Sequence, residues 1–434
     1  MRLRSQLPRF GQVAAAAALL ASTLGAGVGQ AAPGKAPVSI TFWSWVPKLQ
    51  DEVNLFEKSH PDIKVNLVNA GQGAAQYTKL RTALKAGSGA PDVVQIEFQY
   101  IRTFVLANSL VDLAPYGAAK YKNDFVPWTW DQVSLGGKVY AVPQDSGPMA
   151  LLYRADIFSK YHLTVPTTWA QYQQDAVTLH KANPKIFMTD FSVNDGGWIN
   201  SLLWQAGVRP FNVSGTTLSI DFNSATALKV VNYWGSMMKA GLLTNTGDFN
   251  TAWYTALANG SVASWVTAGW GPVFLSGQAA KTTGKWRAAP LPQWTAGAHA
   301  SANWGGSTDA VTVQSKHPKE AAEFAIWLND NAQSAGQLAS EQFLFPVTKA
   351  VLKSPAFDTP QKFYGGQKVN GIFADASSRV DLGFQWSPFQ DYVYTQLQND
   401  LANAVSGKTT YTAAMNTLQS TLVSYAKAQG FTVK

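Results

Sequence analysis

Strand-like and helix-like stretches alternate from the start of the folded part of the chain, and this order limits the possible folds more than any other feature. Residues 38–43 alternate apolar and polar side chains as a strand does, and residues 63–68 and 92–96 give two further strands. Between these stretches, apolar residues recur at helical spacing around Val53 and around Leu80. The β-α-β-α-β order predicts an α/β fold whose sheet is mostly parallel and carries helices on its faces.

Four side chains with aromatic or hydrogen-bonding groups lie just past predicted strand ends. They are Trp43, Trp45, Glu97 and Gln99. Ligands of open α/β sheets bind beyond the carboxyl ends of the strands. These residues are therefore predicted to face a ligand, although Trp43 can also pack beneath its loop.

The N-terminus is predicted to be a signal peptide rather than part of the fold. Three arginines and no acidic residue stand among the first nine positions, followed by an apolar run over residues 13–24 and small residues up to Ala31. The apolar run is too short to span a bilayer. We expect residues 1–31 to be removed near Ala31, and the chain contains no cysteine to carry a lipid anchor or a disulfide. The expected location is the periplasm, free of the membrane.

Composition argues against several functional classes. The net charge of +8 includes the three N-terminal arginines, and the other basic residues form no cluster, so the sequence does not predict nucleic-acid binding. The five histidines lack metal-ligand spacing and no phosphate-binding loop is present, so we expect neither a metal nor a cofactor. The 16 tryptophans beside only 14% charged residues instead suit a site that stacks on flat, half-apolar ligand faces.

The stretch over residues 136–154 predicts a passage of the chain between two domains. Its two short β-type runs are separated by Pro143-Gln-Asp-Ser-Gly-Pro148. This link is longer than a compact hairpin turn, and its two prolines favour an extended path. Asp145 would then lie at the mouth between the domains. A plain surface loop remains the alternative from these residues alone.

Two later segments, residues 303–309 and 343–347, have a similar character and predict a second and a third crossing. Trp270 lies between two glycines and before Pro272, a position that suits ligand contact better than core packing. Sequence position makes six further residues candidates for ligand contact: Trp198, Trp304, Gly305, Gly306, Arg379 and Trp386. Of these, Trp198 can equally be a core residue of the second domain.

Short motifs in a fixed order along the chain resemble those of one protein family. They include Gly89-Ala-Pro-Asp-Val-Val94, Gly136-Gly-Lys-Val-Tyr-Ala-Val-Pro143, Pro166-Thr-Thr-Trp169 and Leu257-Ala-Asn-Gly-Ser-Val-Ala263. In order and coverage they resemble the bacterial extracellular solute-binding proteins, family 1, the maltose-binding-protein-like group that serves ABC importers. Two departures are Tyr153-Arg154 in place of the usual Tyr-Asn and the absence of a lipid-anchoring cysteine.

The resemblance implies a two-lobed periplasmic binding protein clamp, in which each lobe has a mostly parallel sheet flanked by helices and hinge crossings join the lobes. The N-terminal lobe would comprise residues 36–145 and 308–346, and the C-terminal lobe residues 146–307 and 347–434. The resemblance also implies capture of a sugar or oligosaccharide between the lobes and delivery to the membrane permease subunits of an ABC importer. The protein would be a monomer and not an enzyme.

Two alternatives stay open at this point. A binder of another polar solute, such as a glycerol phosphate or a polyol, would need converging cationic side chains for a phosphate, and Arg379 is the only near candidate. A secreted glycoside hydrolase would need two carboxylates facing one cleft, a role that Glu97 and Asp145 could fill.

Overall fold

The computed structural model describes residues 36–434, so the predicted signal peptide lies outside the described residues. Within that range the chain forms sixteen α-helices and thirteen β-strands. The strands are β1 Val38–Trp43, β2 Ile63–Val68, β3 Val93–Glu97, β4 Ser134–Leu135, β5 Lys138–Val139, β6 Val142–Pro143, β7 Met149–Arg154, β8 Phe211–Ser214, β9 Thr217–Ile220, β10 Ser264–Ala268, β11 Trp286–Pro290, β12 Ser307–Val311 and β13 Thr432–Val433. The helices are α1 Gln50–Ser59, α2 Ala74–Ala86, α3 Phe98–Leu106, α4 Pro127–Val133, α5 Ala155–Lys160, α6 Trp169–Ala182, α7 Gly196–Gln205, α8 Ala225–Lys239, α9 Thr251–Asn259, α10 Gly271–Gln278, α11 Pro318–Asp330, α12 Ala332–Ser340, α13 Lys349–Leu352, α14 Val369–Ser378, α15 Gln390–Val405 and α16 Tyr411–Ala428. None of these described helices is both long and apolar enough to cross a bilayer.

The first lobe is built on a five-stranded sheet in the order β2-β1-β3-β12-β6. β1 pairs in parallel with β2 and β3, whereas β12 pairs antiparallel with both β3 and β6. Four strands therefore run in one direction and β12 runs against them, because β12 enters the sheet from the other lobe. The predicted alternation of strands and helices at the start of the fold is confirmed.

Aromatic packing holds helices α1 and α11 against this sheet. The ring of Phe324 on α11 lies 5.3 Å from that of Phe42 on β1 and 5.0 Å from that of Phe56 on α1. All three side chains are fully buried. Burying a side chain of this size stabilises a fold by about 1.5–3 kcal/mol. These rings form the first-lobe part of the hydrophobic core.

The second lobe contains a three-stranded sheet in the order β10-β7-β11, and here the strand directions differ from the prediction. Both ladders are antiparallel, with Leu152 of β7 opposite Trp265 on one side and Ala288 on the other. The path of the chain explains this pairing. β7 carries the chain away from the crossing into the lobe, and β10 and β11 carry it back. The mixed α/β class is as predicted.

Helices of the second lobe begin where the sequence signals indicate. The Thr168 side chain accepts a hydrogen bond from the Gln171 amide at 3.2 Å at the start of α6. The Ser224 side chain accepts one from the Ala227 amide at 3.4 Å at the start of α8. Such N-caps satisfy amides that the helix itself leaves unpaired. Both helices therefore begin at residue types that favour the N-cap position.

Three extended segments connect the lobes and lie side by side. The Trp304 amide of the second segment donates to the Gly147 carbonyl of the first at 2.8 Å. The Ser146 amide of the first segment donates to the Phe345 carbonyl of the third at 3.0 Å. These segments lie where the sequence predicts crossings. The residue boundaries given for the two lobes stay a prediction.

Asp309 on β12 is a fully buried carboxyl group beside the first crossing. Its Oδ2 atom accepts hydrogen bonds from Gln144 at 2.9 Å and from Asn329 at 2.8 Å, while Oδ1 has no partner among the described residues. Burial raises the pKa of Asp309 from 3.8 to about 7, and the nearby Asp145 adds to the shift. The folded protein therefore holds this proton more tightly than the unfolded chain does. The stability that the bound proton contributes is lost as the pH rises towards 7.

We expect the free energy of unfolding to be lower near pH 8 than near pH 5. Between pH 5 and the folded-state pKa near 7, each pH unit lowers the free energy of unfolding by about 1.4 kcal/mol. Asp309 alone should therefore lower the free energy of unfolding by about 3 kcal/mol between pH 5 and pH 8. Asp309→Asn removes the titrating group and should reduce the pH dependence by that amount in urea denaturation at both pH values. Asp51→Asn, which changes an exposed carboxylate, is the control. Equal pH dependences in wild type and Asp309→Asn would contradict the assignment.

Candidate functional site

On the first lobe, Glu97 stands at the carboxyl end of β3, next to the second lobe. The hydroxyl of Tyr77 donates to Glu97 Oε2 at 3.0 Å and accepts from the Glu97 amide at 3.0 Å, which fixes the carboxylate. Burial raises the pKa of Glu97, and Asp391 of the second lobe adds to the shift. The half-buried Trp45 lies edge-on to Tyr77, with ring centroids 6.3 Å apart. Glu97 and Trp45, both predicted from the sequence, are therefore brought together by Tyr77.

The facing wall belongs to the second lobe and contains Asp195 and Tyr394. Asp195 caps α7, where its carboxylate accepts from the Trp198 amide at 2.9 Å. Burial raises the pKa of Asp195 to about 7, and Asp248 adds to the shift. Burial also raises the pKa of Tyr394 on α15, and Asp195 and Glu97 are among the neighbours that add to that shift. Tyr394 thus lies close to carboxylates of both lobes.

An ion pair joins the lobes at the edge of this cleft. The guanidinium of Arg81 on α2 pairs with the carboxylate of Asp391 on α15. The same guanidinium lies 5.5 Å from the centre of the Phe104 ring. Both charged groups are partly exposed, so the pair stabilises the contact by at most about 1 kcal/mol. The ion pair contributes little stability, but it shows that the two lobes are in contact at the edge of the cleft.

The floor of the cleft is formed by the crossings and by Trp270. The Trp270 indole N–H donates to the Trp304 carbonyl at 3.0 Å, and the two rings lie 4.7 Å apart. Trp304 is 5% exposed, whereas Trp270 is half-buried and keeps part of its ring open to solvent. Gly147 lies directly against both residues. A Cβ on Gly147 would be 2.8 Å from the Trp304 carbonyl carbon and 3.0 Å from the Trp270 indole nitrogen. Trp270 therefore offers an aromatic surface over a backbone floor.

Gly305 and Gly306 shape the same floor through their backbone. Their φ angles of 77° and 91° lie in the left-handed region that favours glycine, and a Cβ on Gly306 would lie 2.8 Å from the Asp145 carbonyl oxygen. The Asp145 carboxylate turns to the crossings, where its Oδ1 accepts from the Ser307 amide at 2.7 Å. Burial raises the pKa of Asp145 to about 7, and Glu97 adds to the shift. Asp145 thus braces two crossings, and its contact with a ligand stays a prediction.

Two predicted ligand contacts are engaged elsewhere in the structure. Trp198 lies in the core of the second lobe, where its indole N–H donates to the Val266 carbonyl at 2.9 Å. Arg379 lies on the surface and pairs with Asp375 at 2.8 Å, one helical turn earlier in the chain. A core contact and a local ion pair thus already use their polar groups, which agrees with the core alternative for Trp198; ligand contact by either residue stays a prediction.

Three other residues predicted to contact the ligand have side chains whose observed contacts are with the protein itself. Gln99 is buried, and its side chain acts to lower the pKa of Glu97. Trp43 is half-buried within β1, in the strand that pairs with β2 and β3. Trp386 is 5% exposed and packs against Phe384, with ring centroids 4.9 Å apart. Ligand contact by these three residues stays a prediction.

Sequence reasoning did not single out Tyr77, Asp195 or Tyr394 for the site. Asp195 directly precedes the Gly-Gly-Trp that opens a helix, so its preference for the N-cap position was a usable signal. Tyr77 fits an ordinary helical stripe, and nothing near Tyr394 in the sequence distinguishes it from other surface aromatics. Their positions depend on how the lobes pack, which the sequence does not display.

A groove of 580 Å³ lies beside the third crossing, between α10 and α12. Its lining includes Val273, Gly336, Phe343 and Phe357 and none of the side chains of the cleft walls. Within residues 36–434, no group of three or more histidine or carboxylate side chains is arranged to hold a metal ion. The side chains between the lobes therefore remain the candidate site, and ligand contact there stays a prediction.

Two lobes joined by three crossings, with a cleft of aromatic and carboxylate side chains between them, define a solute-binding clamp. The model of the bacterial extracellular solute-binding proteins matches residues 43–335 of this chain. The chain belongs to that family, which acts outside the cytoplasm and consists of binding proteins rather than enzymes. The hydrolase alternative is thereby excluded.

Individual relatives agree in fold over almost the whole chain. The chain is 31% identical to the ABC transporter associated binding protein of B. animalis subsp. lactis Bl-04, solved with β-1,6-galactobiose, with a TM-score of 0.79 over 92% of this chain and 100% of that one. It is 26% identical to the galacto-N-biose/lacto-N-biose I-binding protein of Bifidobacterium longum, solved with lacto-N-biose, with a TM-score of 0.81 over the same shares. It is also 29% identical to the lactose-binding protein of Rhizobium radiobacter, over 77% of this chain and 81% of that protein.

Proposed function

We propose that this chain binds a neutral, galactose-containing oligosaccharide between its lobes and presents it to the permease subunits of an ABC importer. The observation that carries the proposal is the charge of the cleft. The charged neighbours that shift the pKa values of Glu97, Asp145 and Asp195 are all carboxylates, and each of them raises the pKa. Arg81, the cation at the cleft edge, is already paired with Asp391.

This charge distribution selects against acidic ligands. A phosphate or uronate placed beside Glu97 and Asp195 would find no cationic partner there, and it would repel the ionised fraction of both carboxyl groups in a poorly solvated cleft. Sugar hydroxyls instead donate hydrogen bonds to carboxylates, and such bonds to a charged acceptor are stronger than neutral ones. Arg379, the cation that a phosphate binder would need, is paired with Asp375 on the surface. The glycerol phosphate alternative is therefore disfavoured.

The aromatic floor suits a galactose ring in particular. The axial 4-hydroxyl of galactose leaves three C–H groups together on one face of the ring, and an indole such as that of Trp270 can stack on this face. The relatives described above bind galactobiose, lacto-N-biose and lactose, which all contain galactose. Contacts from both lobes would favour the closed arrangement, because only that arrangement lets Glu97 and Trp270 reach one ligand.

A thermal-shift panel tests the proposal directly. We expect lactose and β-1,6-galactobiose to stabilise the protein, by about 2.7 kcal/mol at a hundredfold excess over the dissociation constant. Glucuronic acid and glycerol 3-phosphate should not stabilise it, and the bound sugar should be recovered intact. Arg379→Ala is the matched control and should behave as wild type. Stabilisation by glycerol 3-phosphate that disappears in Arg379→Ala would overturn the proposal.

We further propose that the protein acts as a periplasmic monomer. The absence of cysteine from all 434 residues supports a form without a lipid anchor. Sedimentation of the protein with and without lactose would test the monomeric state.

A further inference from the structure

Two phenylalanines stand out in the second lobe because their rings are exposed beside Trp270. Phe249 is 43% exposed and Phe274 is 49% exposed. Their ring centroids lie 5.8 Å and 5.9 Å from that of Trp270. Each exposed ring thus continues the apolar surface of Trp270, and contiguous exposed apolar patches mark binding sites.

Phe249 is also held in a strained backbone conformation. Its φ angle of 61° lies in the left-handed region, which is unfavourable for a bulky residue. Hydrogen bonds hold the residues on both sides of it: Asp248 Oδ1 accepts from Asn194 at 3.0 Å, and Asn250 Oδ1 accepts from the Trp253 amide at 2.9 Å. Strain that is maintained in this way is concentrated at ligand clamps and other functional sites. The backbone of Phe249 is therefore held in this conformation by its neighbours.

Together these rings form a continuous track from the cleft floor to the solvent. Trp304 at the floor is 5% exposed, Trp270 is half-buried, and the two phenylalanines are open. The Phe249 ring contacts Trp304 as well as Trp270, with centroids 5.8 Å apart in both cases. Phe274 follows Trp270 by one turn of α10, so both side chains project from the same face of the helix. A ligand stacked on Trp270 would meet these rings as it leaves the cleft.

We propose that Phe249 and Phe274 form an outer stacking subsite for a further sugar unit, so that the ligand has at least three units. This inference rests on the proposed function. The apolar C–H face of a pyranose is the chemistry that fits an exposed phenyl ring, because the rings supply no hydrogen-bonding group and no charge. Continuity with the Trp270 surface identifies the occupant as an extension of the bound oligosaccharide.

The test compares ligands of two lengths. We expect wild type to bind a galactosyl-lactose trisaccharide about three- to tenfold more tightly than lactose, the range of one aromatic contact. Phe274→Ala should remove this difference and leave the affinity for lactose unchanged. Phe249→Ala should act in the same direction. Isothermal titration calorimetry with both sugars measures the affinities of all three proteins.

Phe343→Ala is the matched control, since Phe343 is 54% exposed and has a φ angle of 60° but lines the groove on the other side of α10. It should leave both affinities as in wild type. Equal affinities of wild type for the two sugars, or a loss in Phe274→Ala that is the same for both, would overturn the outer subsite while leaving the proposed function intact. If neither sugar binds to wild type, the proposed function itself is wrong.

Discussion

Gly147→Ala is expected to abolish sugar binding and to destabilise the protein by at least about 3 kcal/mol, the upper range for forcing a group into a packed interior. A Cβ at this position would lie 2.8 Å from the Trp304 carbonyl carbon and closer still to its oxygen. These are backbone atoms, which cannot rotate away as a side chain can. The Gly147 amide and carbonyl also bond to Asn303 at 2.7 Å and to the Trp304 amide at 2.8 Å. Separating the two crossings would break these bonds and tilt Trp270.

Gly277→Ala is the control for this prediction. Gly277 lies in α10, and a Cβ there would meet nothing within 4 Å. Alanine in place of glycine in a helix is favourable by up to about 1 kcal/mol, so this variant should be as stable as wild type or slightly more stable. Melting curves and a lactose titration of both variants measure the effect. Wild-type melting and binding in Gly147→Ala would show that the crossings are not packed as described.

Trp234→Ala is expected to lower the free energy of unfolding by about 3–5 kcal/mol, the cost of removing a large aromatic side chain from a core. Trp234 is 1% exposed, and its ring lies 5.2 Å from that of Trp198 and 5.3 Å from that of Trp169. Its indole nitrogen has no hydrogen-bond partner among the described residues, so the truncation leaves no partner unpaired. The loss is therefore one of packing, and the folded fraction should still bind sugar.

Trp270→Ala is the counterpart at the cleft floor. Its ring is half-buried, so we expect sugar affinity to fall by at least about 2 kcal/mol, the contribution of a buried aromatic face, with a small change in melting temperature. Calorimetric titration and melting of both variants separate the two roles. Early melting with normal binding in Trp270→Ala would mean that this tryptophan is core and not a sugar platform.

Features fixed by neighbouring residues in the chain could be predicted from the sequence. The caps at Thr168 and Ser224 depend on residues three positions apart, and the crossings depend on local proline and glycine. The ion pair of Arg379 could be predicted as well, because Asp375 precedes it by four residues at the end of α14.

Features fixed by the packing of distant segments could not be predicted. The antiparallel ladders of β7 follow from the route of the chain through the second lobe rather than from any strand pattern. Tyr77 and Tyr394 are separated by more than three hundred positions, yet Tyr77 hydrogen-bonds to Glu97 and the charge of Glu97 contributes to the raised pKa of Tyr394. For the same reason, the sequence identified Trp270 as a ligand contact but not the rings of Phe249 and Phe274 beside it.

The most direct test of the account is a crystal structure of the protein with the tightest-binding neutral sugar of the panel. We expect sugar density between the lobes, with one ring stacked on Trp270 and hydroxyl groups within hydrogen-bonding distance of Glu97 and Asp195. Density in the groove beside α12, or contacts with one lobe alone, would contradict it.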